Sequence, residues 1–166
     1  MIEIVRAKTT QQFDLIAKLA FEIWNEHYIP IIGKAQVAYM VAKFQTSEVM
    51  QEQANEGYEY YLINYDSKPV GYLSIQKRVT ELFLSKIYIL NSYRGKKIGK
   101  EAFIFIDHRA RELHCKSIAL TVNKNNTNSI HAYEKIGFKK TEAIVMDIGN
   151  GFVMDDYRMV KNLASK

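Results

Sequence analysis

Arg94-Gly95-Lys96-Lys97-Ile98-Gly99 gathers, in one short stretch, the side chains and the backbone that hold an anion. It precedes a helical pattern in which Ile98, Ala102, Phe105, Ile106, Ala110 and Leu113 fall on one stripe. The opening amides of a helix have no carbonyl four residues behind them and sit at the positive end of its dipole, so they cradle negative charge. Gly95 and Gly99 let a ligand come close to the backbone, and Arg94, Lys96, Lys97 and Lys100 add positive charge. A pyrophosphate suits such a site. So, on this motif alone, does a plain glycine turn with solvated lysines.

The elements that must position this loop are legible as patterns. Glu81 to Leu90 is rich in β-branched and aromatic residues and reads as a strand, which Asn91-Ser92-Tyr93 ends. Tyr58 to Tyr65 and Val70 to Arg78 precede it as strands joined by the turn Asp66-Ser67-Lys68-Pro69, which makes three antiparallel strands in series. The helix after the loop crosses over to Ile118–Val122, and a crossover of that length fits a parallel neighbour. A further helix runs from about Thr127 to Ile136 and stops at Gly137. Lys139 to Asp147 and Phe152 to Leu163 form a closing hairpin around Gly149-Asn150-Gly151. At the other end, Ile2–Arg6 alternates as a strand, and Thr9 or Thr10 caps a helix that buries Phe13, Ile16, Leu19, Ala20 and Ile23. Pro30 and Gly33 act as breakers before a second helix from Ala35 to about Gln53.

Composition narrows the class. A chain of 166 residues, 48% hydrophobic, is long enough for one domain over 1–166 with a substantial core, and disorder is excluded. The formal charge of +5 invites a nucleic-acid reading, but apart from the loop and the pair Lys139 and Lys140 the basic residues are scattered, with no stripe for a phosphate backbone. No apolar run is long enough to cross a bilayer, and no signal peptide is visible, so neither membrane nor nucleic acid is expected as a partner. The single cysteine, Cys115, cannot form an internal disulfide, reads as a buried structural thiol, and fits a cytoplasmic protein. The four histidines show no ligand spacing, so no metal is expected.

Around the loop the chain resembles the GNAT superfamily of N-acetyltransferases, whose signature is Arg/Gln-x-x-Gly-x-Gly/Ala after the fourth strand. Arg94 and Gly99 match its ends, and Lys97 stands at the middle glycine, a departure that a helical backbone at 97 accommodates. A second signature lies in LTVNKNNTNSIHAYEKIGF, from Leu120 to Phe138, with Asn126 and Tyr133 on its marked positions and Ser129 in place of a small alanine. The likeness covers residues 58 to 145 and implies an α/β (α+β) fold: a mixed, mostly antiparallel sheet of six to seven strands, flanked by about four helices and splayed between the fourth and fifth strands.

The same resemblance implies acetyl-CoA as donor. Its pyrophosphate would lie on Arg94, Gly95, Lys96, Lys97, Ile98, Gly99 and Lys100, its pantetheine on the main chain of Ile87, Tyr88 and Ile89 and on Asn126. Tyr133 would be the general acid that protonates the leaving thiolate, and Trp24, Glu26, Tyr28 and Asp155 would face the acceptor. Each has a plainer reading: Trp24, Tyr28 and Tyr133 as core, Asn126 as a helix cap, and Asp155, Asp156 and Tyr157 as a solvated edge. For the base, Glu81 ranks first. Ser85 stands where relatives carry an acid and would relay a water, with Glu26 and Asp155 as alternatives. The acceptor expected first is a polyamine or other small amine, for which Glu26, Glu81, Asp155 and Asp156 would make an acidic mouth, next a peptide N-terminus or lysine; a CoA-binding protein without turnover is the reading from another class. The closing hairpin also offers a surface for a homodimer.

Overall fold

In the computed structural model, which describes residues 1–163, strand and helix alternate much as the patterns require. The strands are β1 (Ile2–Arg6), β2 (Tyr58–Tyr65), β3 (Lys68–Lys77), β4 (Glu81–Ile89), β5 (Ser117–Asn123), β6 (Lys139–Gly149) and β7 (Phe152–Asn162). The helices are α1 (Thr10–His27), α2 (Ile29–Ile32), α3 (Lys34–Phe44), α4 (Ser47–Asn55), α5 (Ile98–Glu112) and α6 (Thr127–Lys135). The sheet order is β1-β2-β3-β4-β5-β7-β6, mixed and mostly antiparallel, as the expected fold class requires. Residues 164–166 of the expected 1–166 domain lie outside the described ones.

Helices outnumber the four expected, for two local reasons. Pro30 sits at the start of α2, where its missing N–H is harmless, so Ile29–Ile32 makes a helical turn rather than a loop. The helix expected from Ala35 to Gln53 is two helices. α3 ends at Gln45, and Thr46 starts α4 by accepting the Val49 N–H on its hydroxyl at 3.3 Å.

The described chain forms two compact units, Met1–Gln76 with Ser85–Ile106, and Lys77–Leu84 with the residues from Asp107 onward. In the first, Thr9 and Gln12 close a capping box on α1: Thr9 Oγ1 accepts the Gln12 N–H at 3.2 Å, and Gln12 Oε1 accepts the Thr9 N–H at 3.0 Å. The buried face of α1 carries Phe13, Ile16, Leu19, Ala20, Ile23 and Trp24 and packs on α3 and α4. Each large side chain so hidden contributes about 1.5–3 kcal/mol. The β2–β3 turn is tighter than the sequence suggests: Asp66 (φ 49°) and Ser67 (φ 68°) are both left-handed, so two residues suffice and Pro69 belongs to β3. A primed turn of this kind matches the twist of the strands it joins.

In the second unit β5 is central. Its parallel pairing with β4 covers only Glu81↔Ser117, Leu82↔Ile118 and Phe83↔Ala119 and then stops, while β5 continues to Asn123. This is the splay between the fourth and fifth strands. On its other side β5 pairs with β7 from Ser117↔Asn162 to Asn123↔Asp156, and β7 pairs in turn with β6. The solvated-edge reading of Asp155, Asp156 and Tyr157 is corrected in part: β7 is an inner strand and β6 the edge, Asp156 is only 6% exposed and Tyr157 is half-buried, while Asp155 is solvated as expected. Cys115 is buried, and burial raises its thiol pKa.

Candidate active site

After β4 the chain makes a 3₁₀ turn at Asn91–Tyr93, passes through extended Arg94, and turns left-handed at Gly95 (φ 79°) and again at Lys97 (φ 64°) before α5 begins. The first α-helical bond runs from the Glu101 N–H to the Lys97 carbonyl at 3.1 Å. The amides of Ile98, Gly99 and Lys100 therefore stand ahead of the ladder at the positive end of the helix. They border an open pocket of about 420 Å³ lined by Ile89, Tyr93, Arg94, Gly95, Lys97, Ile98 and Gly99. Lys96 and Lys100 are exposed and outside this lining; the Lys96 ammonium lies 5.8 Å from the centre of the Tyr65 ring.

Position 97 does not keep the helical backbone expected of it. Its φ is the one at which a glycine is at ease, and a lysine there costs about 1 kcal/mol. The loop thus retains the shape that a glycine would give, with a side chain added.

Two residues at the end of α1 fasten this loop. Glu26 Oε1 accepts the Asn91 N–H at 2.8 Å, and an Arg94 guanidinium nitrogen lies 3.4 Å from His27 Nδ1. Beyond the place at an acceptor mouth that its charge suggests, Glu26 caps the 3₁₀ turn, a role that no local pattern around it signals. Trp24 is buried, stacks on Tyr28 at 4.4 Å and meets the edge of Tyr88 at 5.5 Å. Tyr72 lies 5.4 Å from Tyr88, and its hydroxyl donates to Gln45 Oε1 at 3.0 Å. These rings fix the end of β4 from one side. Gly71 fixes its main chain from β3, since a Cβ there would collide with the Tyr88 carbonyl oxygen. Ser85, Ile87, Tyr88 and Ile89 are all half-buried.

Lys86, passed over in the sequence, is only 6% exposed. Its ammonium donates to the Tyr60 hydroxyl at 2.6 Å and to Gln53 Oε1 at 3.2 Å. Burial pushes its pKa down to about 8, and burial likewise raises the Tyr60 phenol. In sequence it is one more charged residue in a strand; only the packing of Tyr60 and Gln53 around it reveals its surroundings.

In the second unit Asn126 stands at the start of α6, 4% exposed, with its side chain making no capping bond, while its N–H donates to the Asn123 carbonyl at 3.0 Å. Tyr133 is half-buried on α6 with its ring 5.9 Å from Phe138. Glu81 is engaged by Arg158, which donates to both carboxylate oxygens, one at 3.3 Å and the other closer. Asp155 is exposed and pairs with Lys124 at 2.7 Å. Among the described residues no three His, Cys, Asp or Glu side chains group as a metal site, and no helix is long and apolar enough to cross a membrane.

With this geometry in view, likeness to known proteins is specific. Residues 18–138 match the acetyltransferase (GNAT) family, and the chain belongs to it. It is an N-acetyltransferase, and acetyl-CoA is its donor. An uncharacterized N-acetyltransferase of Escherichia coli, YjgM, is 27% identical over 96% of this chain and 95% of its own. The spermine/spermidine N(1)-acetyltransferase of Bacillus subtilis is 25% identical over 65% of this chain and 76% of its own. In fold, the chain is similar to the PaiA N-acetyltransferase of Thermoplasma acidophilum crystallised with coenzyme A: TM-score 0.81, 21% identity, 98% and 99% of the two chains covered.

Proposed function

We propose that this enzyme acetylates a polyamine or another small primary amine, within one catalytic domain. The observation that carries the acceptor is the similarity to the spermine/spermidine enzyme. Trp24, Tyr28 and Glu26 support it, as aromatic faces and a carboxylate of the kind that attract an ammonium.

On this reading the diphosphate of the donor rests on the amides of Ile98, Gly99 and Lys100, with Arg94, Lys96, Lys97 and Lys100 supplying charge. The pocket beside Gly95, where a Cβ would meet nothing within 4 Å, fits a ligand that comes close to the backbone. The main chain of Ile87, Tyr88 and Ile89 bonds the amide-bearing arm much as an added strand would, and Asn126 serves the same arm. The thioester supplies an activated acetyl group. A strand amide polarises its carbonyl, the neutral amine attacks, and Tyr133 protonates the departing sulfur. On the same reading Ser85 relays a water. Holding both reactants together supplies a large share of the acceleration. A cytoplasmic location, and pairing of two copies along the open edge of β6, belong to the same proposal.

The test is CoA thiol release by the purified protein with acetyl-CoA and a panel of amines. Spermidine or a similar amine is expected to give the fastest release, and Tyr133→Phe to slow it roughly a hundredfold. A panel in which only peptides are acetylated would overturn the acceptor.

A further inference from the structure

The carboxyl end of β5 collects two buried polar side chains that, among the described residues, have no hydrogen bond or ion pair: Asn126 at 4% exposure and Asp156 at 6%. Both adjoin Asn123. Asp156 stands opposite it in the β5–β7 register, and the Asn126 N–H donates to its carbonyl. Among the described residues the fully enclosed, unpartnered side-chain atoms are Trp24 Nε1 and Ser74 Oγ, so the Asp156 carboxylate keeps a narrow contact with solvent; it has given up most of its hydration without a protein donor in exchange, which a fold tolerates where the group has work to do.

We propose that Asp156 is the general base that takes the proton from the acceptor ammonium. This rests on the acceptor being an amine, whichever amine that is. The other acids weighed for the role are committed elsewhere: Glu81 to Arg158, Glu26 to the Asn91 amide, and Asp155 to Lys124. Burial, joined by repulsion from Asp155 and opposed by Lys124, lifts the Asp156 carboxyl to about 6. At neutral pH it is ionised yet more basic than an ordinary carboxylate, which matches a base to its task.

Its charged surroundings are Asp155 and Tyr157 on β7 and Lys124 after β5. Ile144 lies opposite on β6, and beyond it Glu142 is 3.7 Å from Arg158. None of them donates to it. In the step, an Asp156 oxygen forms a bond to hydrogen as the ammonium N–H breaks. The freed pair forms the C–N bond, the C–S bond breaks, the amide nitrogen releases its second proton to solvent, and the thiolate takes a proton from Tyr133. A proton returning through solvent from Asp156 to Tyr133 restores both.

The experiment compares wild type, Asp156→Asn and Asp156→Glu with acetyl-CoA and spermidine across the pH range, beside calorimetry with acetyl-CoA. Expected are a fall in kcat/KM of roughly a hundredfold or more in Asp156→Asn, loss of the ascending limb near pH 6, partial recovery with a displaced limb in Asp156→Glu, and unchanged acetyl-CoA affinity. An Asp156→Asn enzyme that keeps the limb and the rate overturns the assignment. So does a loss of activity that tracks a loss of acetyl-CoA affinity, which marks a structural role. If wild type prefers a peptide N-terminus to spermidine, the acceptor reading fails while the same limb is expected with the peptide.

Discussion

Lys86 and Asp156 are equally hidden, each 6% exposed, but the fold treats them in opposite ways. Lys86 has two neutral oxygens within hydrogen-bonding reach, from Tyr60 and Gln53. Asp156 has none among the described residues. Both bear the cost of leaving water, and only the lysine recovers part of it through hydrogen bonds. A buried charge provided with hydrogen-bond partners belongs to the scaffold; one left without them points to chemistry. Their pH signatures differ too. An unfolded lysine holds its proton up to about pH 10.5 and the folded one releases it near 8, so its penalty is full below pH 8 and fades as pH rises to 10.5. For Asp156 the unfolded carboxyl ionises near 3.8 and the folded one near 6, so the penalty grows between those values and stays constant above them. Between pH 6 and 8 both penalties are in force.

The largest effect that sharpens this contrast is expected from Lys86→Met. At pH 7 it removes a penalty of up to about 3 kcal/mol, and urea unfolding of the variant is expected to lack the rise in stability predicted for wild type between pH 8 and 10.5. A variant less stable than wild type at both ends of that range would show that the hydrogen bonds outweigh the desolvation. Asp156→Asn comes next, with a gain of about 2 kcal/mol above pH 6 once partial solvent access is allowed for, and no gain below pH 3.8. Stability and activity then move in opposite directions at one residue, whereas at Lys86 only the first is predicted to move. Lys97→Gly relieves a left-handed lysine and is expected to change stability by at most about 1 kcal/mol while lowering acetyl-CoA affinity through the lost charge, read by calorimetry. The smallest effect is Glu81→Gln: below about 1 kcal/mol, because its partner Arg158 is partly solvated, with the ascending limb of the pH profile retained. Loss of that limb would return the base to Glu81.

The sequence revealed what is local. Alternation located β2, β3 and β4 to within a residue or two, Thr9 and Gly137 marked helix ends, and the loop after β4 could be recognised from its glycines and basic residues. What it hid depends on residues far along the chain. Asp155 and Asp156 are neighbours of one chemical type, and nothing nearby says that the first is exposed and the second enclosed by β5 and β6; that follows from the pairings Asn123↔Asp156 and Ile144↔Asp156. Lys86 is concealed for the same reason, since Gln53 and Tyr60 reach it from α4 and β2. The left-handed backbone at Lys97 was missed because lysine is a poor advertisement for it. The charge of Glu26 suggests an ammonium partner, and nothing near it in the chain points to the Asn91 amide from which it accepts.

The outermost ribbon has a practical consequence. Lys139–Gly149 is the last strand of the sheet among the described residues, with Val145 67% and Met146 55% exposed in its middle. Such a margin recruits whatever strand comes by, so turbidity in concentrated samples should begin there. A single lysine in place of Val145 would be the simplest way to keep preparations clear.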